Sequence, residues 1–445
     1  MKAFDEAHLY FEELIGKIEG ANTYKFGGRI SQIIGMTVES NGPIAHMGDI
    51  CRIYPSGTNV SAILAEVVGF RENKLLLQPF GPLSGIASGD NVVATGMKLS
   101  IGVSTNMKGR ILGALGQPID EKGEIISQAR YAIDNDPPNP LDRVRIKSAL
   151  PLGVRAIDGL LTIGRGQRIG IFAGSGVGKS SLLGMIARSA VADVNVIVLI
   201  GERGREVKDF IEKDLQEEGM AKSVLLVATS DQPALLRLKS AMVGTAIAEF
   251  FRDSGYNVLL MMDSLTRFAM AQREIGMAVG EPPVARGYTP SVYAMLPRLL
   301  ERSGTSKKGS ITGIYTVLVE GDEMNEPISD TVRGILDGHI VLTRALANEN
   351  HYPPIDVLQS VSRLMPDVVA PEHMQMAGKI KKLMSAYREA QDLINIGAYK
   401  VGTNVLVDQA IRLRPEIEKL LIQNIDDAST MDDAVNTIND ILSKG

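Results

Sequence analysis

The sequence predicts an α/β chain of three parts: a small N-terminal β-barrel or sandwich, a central domain built on a parallel sheet, and a C-terminal helical domain. Three observations predict it. Short strand patterns broken by glycine-rich turns fill residues 24–95. Five apolar runs alternate with helical patterns between 168 and 319. They lack strict polar alternation, as strands buried on both faces of a parallel sheet do. Beyond residue 370 the apolar positions fall at helical spacing. At 445 residues, the chain has room for about three domains. The divisions read as a helix over 1–20, a barrel over 21–95, a central domain over 96–365 and a helical domain over 366–445.

Residues 5–18, DEAHLYFEELIGKI, form an amphipathic pattern with Ala7, Phe11, Leu14, Ile15 and Ile18 on one face. Such a helix packs on its own domain or docks on a partner or neighbouring subunit. In the barrel region, GRISQIIGMTVES and PIAHMGDICRIYP flank Asn41-Gly42, which reads as a type I′ hairpin turn. Nothing there has the residue types of a catalytic site. DNDPPNP (134–140) is a connector held extended by its prolines. The central runs are RIGIFA (168–173), NVIVLI (195–200), SVLLVA (223–228), NVLLMM (257–262) and IYTVLV (314–319). In the last part, EHMQMAGKIKKLMSAYREAQDLI reads as a helix. Pro415 suits the first turn of a new helix, and Thr430-x-x-Asp433 suits a capping box opening the last one.

Composition narrows the function. With 44% apolar and 22% charged residues, wholesale disorder is excluded. The formal charge is −5, which argues against nucleic acid as the partner. Cys51 stands alone, so no internal disulfide forms and a reducing compartment fits. The five histidines (8, 46, 339, 351 and 373) lack metal-ligand spacing. No apolar run approaches the ~18 residues of a membrane span. The acidic N-terminus lacks a signal-peptide core. The expectation is a cytoplasmic protein without a transmembrane segment, at most associated with a membrane surface.

Glycine is in excess, 45 of 445, and eight of them crowd residues 153–178. RIGIFA runs straight into Gly174, Ser175, Gly176, Val177, Gly178, Lys179, Ser180 and Ser181. This is a P-loop, with Ala173 where the strict pattern has glycine. Glycines let successive N–H groups curl toward phosphate oxygens, and the following helix adds its positive end. Lys179 is a point charge for β- and γ-phosphates, and the Ser180 hydroxyl is a ligand for Mg²⁺. Asp263 closes the run NVLLMM, at the strand end where a carboxylate of the metal shell belongs; a helix N-cap is the alternative. Gly201-Glu202-Arg203-Gly204-Arg205-Glu206 closes NVIVLI. Glu202 there orients an attacking water and Arg203 neutralises phosphoryl charge, or the whole is a solvated charge cluster.

Taken in order, GRGQR (164–168), AGSGVGKS (173–180), GERGRE (201–206), MMDSLTRFAMAQRE (261–274) and PPIDVLQSVSR (353–363) resemble the catalytic subunits of the rotary-ATPase superfamily, the F1/V1 α/β group. Within it, residues 153–188, 287–304 and 317–344 resemble type III secretion ATPases, especially the flagellar protein-export branch. The resemblance runs from about residue 24 to the C-terminal helices. It implies a RecA/F1-like central fold and an ATP-hydrolysing enzyme, working with Mg²⁺ as a homohexamer that drives protein export.

The resemblance also implies roles. Glu202 polarises the attacking water, Arg203 contacts the γ-phosphate, and Glu206 lies near the waters of the metal. Asp263 is the Walker B aspartate and Arg267 lines the phosphate pocket. Tyr352 packs on adenine, a core tyrosine being the alternative, and Arg363 is the arginine finger to the neighbouring subunit. The implied partners are a regulator or stator protein at the N-terminal helix, export-gate membrane proteins, chaperones and export substrates. The implied location is the inner face of the cytoplasmic membrane. One departure is Asn404, where Asp is expected.

Three other readings compete. The virulence branch of type III secretion shares most motifs. An F-type ATP synthase catalytic subunit would read more like GGAGVGKT and STSR than AGSGVGKS and SVSR, and no DELSEED-like stretch is present. A ring-shaped RNA helicase of the terminator type would need aromatic and basic strands in the barrel, which GRISQIIGMTVES and VSAILAEVV do not offer.

Overall fold

The computed structural model describes residues 27–56, 61–319 and 323–444. The amphipathic pattern at 5–18 lies outside the described residues. The chain divides into two compact units, with the boundary between Leu99 and Ser100.

The first unit is a closed six-stranded antiparallel barrel. Its strands are β1 (Gly27–Ile34), β2 (Thr37–Asn41), β3 (Asp49–Tyr54), β4 (Ile63–Arg71), β5 (Lys74–Pro79) and β6 (Asn91–Lys98), closing in the order β1-β2-β5-β4-β3-β6. Alternating inward residues such as Ile30, Cys51, Ile53, Val67, Leu75 and Leu77 fill it. The hairpin expected at Asn41-Gly42 is absent. The tight turn sits instead at Gly35-Met36, between β1 and β2, with Gly35 at φ +58°. The reason is Pro43: a turn closed through Asn41-Gly42 needs the N–H of residue 43, and proline has none. The chain therefore leaves β2 there, and β3 pairs with β4 and β6.

The second unit is built on a nine-stranded sheet, with a separate ribbon of β7 (Ser100–Val103) and β9 (Ala129–Ala132). The sheet strands are β8 (Arg110–Gly113), β10 (Arg168–Ala173), β11 (Val194–Glu202), β12 (Ser223–Thr229), β13 (Asn257–Asp263), β14 (Gly304–Thr305), β15 (Ser310–Leu318), β16 (Gly338–Leu342) and β17 (Val361–Ser362). The order is β17-β16-β10-β15-β13-β11-β12-β8, with β14 on β15. All pairings are parallel except β14 on β15 and β17 on β16. The five apolar runs of the sequence are five adjacent parallel strands or extend into them. Their C-terminal ends meet along one edge, where ligands of such sheets bind.

The helices are α1 (Arg155–Leu160), α2 (Lys179–Ser189), α3 (Gly204–Asp209), α4 (Gln216–Ala221), α5 (Ala234–Asp253), α6 (Leu265–Val279), α7 (Pro290–Leu300), α8 (Pro327–Ile335), α9 (Arg344–Asn348), α10 (Met365–Val368), α11 (Pro371–Asn395), α12 (Val405–Leu421) and α13 (Met431–Ser443). The last three do not stand apart. Ile380, Leu413, Ile438 and Ile441 share one apolar cluster with Ile157 and Leu160 of α1 and with the sheet. Gln423, buried, donates from Nε2 to the Gly153 carbonyl at 2.9 Å and accepts at Oε1 from the Arg155 N–H at 2.9 Å, which ties the C-terminal part to the start of α1.

Pro415 does not open a helix. It lies inside α12. Its missing N–H leaves the Ile411 carbonyl without the usual helical donor. Burial of Val407, Ala410, Leu413, Ile417 and Leu420 carries the helix through. The helix opens at Asn404, whose Oδ1 accepts from the N–H of Leu406 (3.0 Å) and Val407 (3.4 Å). Asn and Asp are nearly equivalent caps, so this departure keeps the cap. Thr430 and Asp433 form the expected capping box on α13: Thr430 Oγ1 accepts from the Asp433 N–H at 3.1 Å, and Asp433 Oδ2 accepts from the Thr430 N–H at 2.9 Å.

Candidate nucleotide site

A cavity of about 790 Å³ opens at the C-terminal ends of β10, β11, β13 and β15. Gly174, Ser175, Gly176, Gly178, Lys179, Ser180 and Ser181 line it on the P-loop side. Gly176 (φ +75°) and Gly178 (φ +91°) hold left-handed backbone that only glycine adopts without strain. That geometry turns the loop directly into α2. Val177 is the exception: its side chain is buried in the core.

Lys179 is the electrostatic centre. Its ammonium pairs with Asp263 and stands 3.7 Å from Glu202. Asp263 is buried at the end of β13 and also accepts from Thr316 Oγ1 of β15 at 2.7 Å. It is not a helix cap: the cap of α6 is Ser264, whose Oγ accepts from the Arg267 N–H at 3.4 Å. Two carboxylates thus converge on one cation.

Glu202 ends β11 and lines the cavity wall. Burial first, then the negative charge of Asp263, push its pKa up to about 7, and Lys179 only partly offsets them. A hydrogen bond between the Glu202 and Glu206 side chains adds to this and holds Glu206 below its ordinary value. Glu206 also accepts from the Arg203 N–H at 3.3 Å in the first turn of α3. Glu202 is therefore the member of the pair that gains a proton as the pH falls, and Glu206 keeps its charge. Only part of GERGRE is solvated charge: Arg203 is 82% exposed and Arg205 91%, against 17% for Glu202.

Arg203 and Arg267 line the cavity. Arg267 packs along Gly201, where an added Cβ would stand 3.2 Å from its side chain, and its Nε is buried without a partner. Tyr352 is 41% exposed, which removes the core alternative. Its ring comes within 3.5 Å of where a Cβ on Gly178 would stand, so it flanks the loop. Arg363 is brought to none of these groups. It is exposed, just after the edge strand β17, and is not part of the cavity wall.

Sequence reasoning missed several wall residues: Thr266, Arg273, Arg286, Tyr288, Glu326 and Arg344. Arg344 donates from Nη2 to the Ser175 carbonyl at 3.2 Å. The signal for it was close to that for Asp263, a charged residue at or just past the end of a parallel strand. Thr316 was legible as a small hydroxyl residue inside an apolar run. Arg286 and Tyr288 come from a loop with no local signal.

Known proteins define the class. The ATP synthase alpha/beta family matches over residues 153–362 with its nucleotide-binding domain and over 30–96 with its beta-barrel domain. The T3SS EscN ATPase C-terminal domain matches over 369–440. The flagellum-specific ATP synthase of Bacillus subtilis (strain 168) is 52% identical over 97% of this chain and 98% of its own. The type 3 secretion system ATPase of Xanthomonas euvesicatoria is 47% identical over 93% of each. The assembled ATPase EscN of the enteropathogenic E. coli type III secretion system is 46% identical and superposes at TM-score 0.88, covering 93% of this chain and 100% of that one. In complex with its central stalk EscO, the same ATPase superposes at 0.86 over the same shares. The chain is thus an ATPase of the ATP synthase alpha/beta class. It belongs, within that class, to the family of flagellum-specific ATP synthases and type 3 secretion system ATPases.

Proposed function

We propose that the chain is the ATP-driven motor subunit of a flagellar protein-export apparatus, working as a homohexamer in the cytoplasm at the inner face of the membrane. The observation that carries the reading is the division of labour within one chain. Lys179 and Glu202 line one cavity, whereas Arg363 stands exposed away from it, open to a neighbouring copy. A heterologous interface that repeats and closes makes a ring, and each interface then holds a complete site.

In this reading, water attacks the γ-phosphorus in line as the bond to the bridging oxygen breaks, releasing ADP and phosphate. Glu202 orients that water and accepts its proton. Lys179, Arg203, Arg267 and the neighbour's Arg363 stabilise charge on the transferring group. Tyr352 stacks on the base. Among the described residues no three His, Cys, Asp or Glu side chains cluster as a metal cage. What is present is the Ser180 hydroxyl with the carboxylates of Asp263 and Glu206. Such hard oxygens, completed by phosphate, suit Mg²⁺. Bound there, the ion would neutralise phosphate charge.

Among the described residues no helix is long and apolar enough to cross a membrane, which suits a peripheral post. The stalk complex of EscN supports a stalk protein as one partner. A regulator at the N-terminal helix, gate proteins, chaperones and export substrates complete the proposal.

The test is complementation. The chain should restore swimming to Bacillus subtilis lacking its flagellum-specific ATP synthase, and Lys179→Ala should not. Restored secretion in a Xanthomonas strain lacking its type 3 ATPase, with no restored swimming, would move the chain to the virulence branch.

A further inference from the structure

A second cavity, of about 400 Å³, lies between α9, the segment 351–359 and helices α11 and α12. It shares no wall residue with the nucleotide cavity. Leu346, Ile355, Leu383 and Ile417 give its wall apolar surface. Polar residues complete the wall, and both of its arginines are committed. Arg414 lies 3.9 Å over the Tyr387 ring and pairs with Glu418 at 2.7 Å. Arg388 pairs with the buried Asp356 at 2.8 Å.

One acid and one imidazole of the wall are left over. Glu349, at the exposed rim, has no ion pair among the described residues. The wall thus carries three acids against two arginines. His351 is 8% exposed, and its Nε2 has no hydrogen-bond partner. Burial pushes its pKa down, so the ring stays neutral. An apolar slot with an unmatched carboxylate and a neutral imidazole favours a flat ligand that brings positive charge and N–H donors.

The cavity is also wired to the nucleotide site. Arg344, the first residue of α9, holds the Ser175 carbonyl of the P-loop. Its neighbours Ala345 and Leu346 form the cavity wall. At the other end His351 leads directly into Tyr352, which flanks Gly178. We propose that this cavity is a regulatory site for a small planar aromatic cation, and that its occupancy slows ATP turnover without competing with ATP. A ligand wedged between α9 and the C-terminal helices restrains the elements that hold both the phosphate loop and the base-stacking tyrosine.

The test uses the full chain with benzamidine as the probe and benzoate as its shape-matched anion. By saturation-transfer NMR, benzamidine should bind saturably at roughly millimolar concentration, as befits so small a ligand. Excess ADP should leave that binding in place. Benzoate should bind at least about tenfold more weakly, and Glu349→Gln, on the exposed rim, should weaken benzamidine about tenfold. Ala410→Phe, filling the cavity, should abolish the binding while ADP still binds. In the wild-type chain kcat should fall severalfold as benzamidine saturates, with KM for ATP unchanged. Displacement by ADP, equal binding of benzoate, or binding untouched by both variants would overturn the site. Saturation with kcat unchanged would overturn its coupling to turnover.

Discussion

Glu202 is the residue whose environment most opposes its charge. Its pKa in the folded chain is about 7, against an ordinary 4.5. Between those values the folded chain keeps a proton that the unfolded chain has released, so stability falls as pH rises through that window. Glu202→Gln should therefore stabilise the folded chain at pH 8, by on the order of 1 kcal/mol after screening at the cavity mouth. By calorimetry the gain should shrink toward pH 5; an equal gain at both would refute the titration. Catalysis should carry the same signature. The Glu206 side chain helps to raise Glu202, so Glu206→Gln should move the acidic limb of the kcat/KM profile to lower pH. Arg363→Ala should keep nucleotide affinity in a fluorescence titration while phosphate release falls by about 10³–10⁵. Full turnover by that variant in a sedimentation-verified ring would remove Arg363 from the transition state.

Among the elements, the strands and caps were the legible part. RIGIFA and NVLLMM are β10 and β13 almost residue for residue, because a strand buried on both faces must be apolar throughout. The capping box of α13 was legible because it is local: Thr430 and Asp433 satisfy each other's backbone within one turn. Thr430→Ala should cost about 1 kcal/mol, read from chemical denaturation. Asn41-Gly42 and Pro415 misled for one reason. Each is a strong local preference overruled by its surroundings, by Pro43 in the first case and by the buried face of α12 in the second. Pro415 is exposed, so Pro415→Ala should stabilise the chain by on the order of 1 kcal/mol. A loss of stability would mean the proline serves the helix rather than being tolerated by it.

At the scale of the whole molecule, the prediction concerns mixing. Glu202→Gln and Arg363→Ala should each be inactive alone. Mixed in equal amounts before ring assembly, they place an intact Glu202 opposite an intact Arg363 at about a quarter of random interfaces. ATPase activity should return to a comparable fraction. No recovery in rings proven to be mixed would argue that site and finger act within one chain.

The sequence by itself determined the β-rich first part, the parallel strands, the phosphate loop and part of the charged wall of the cavity, with Lys179, Glu202 and Asp263 in it. Periodicity, capping and glycine placement are short-range constraints, and motif spacing follows from them. Only the tertiary structure decided which charges meet. Lys179 and Asp263 are far apart in sequence, and Thr316 is farther still, yet adjacent parallel strands end side by side and bring them into contact. The raised pKa of Glu202, the Arg344 bond to the phosphate loop and the second cavity beneath α9 belong to the same class. Each depends on the packing of distant segments, which no local pattern records.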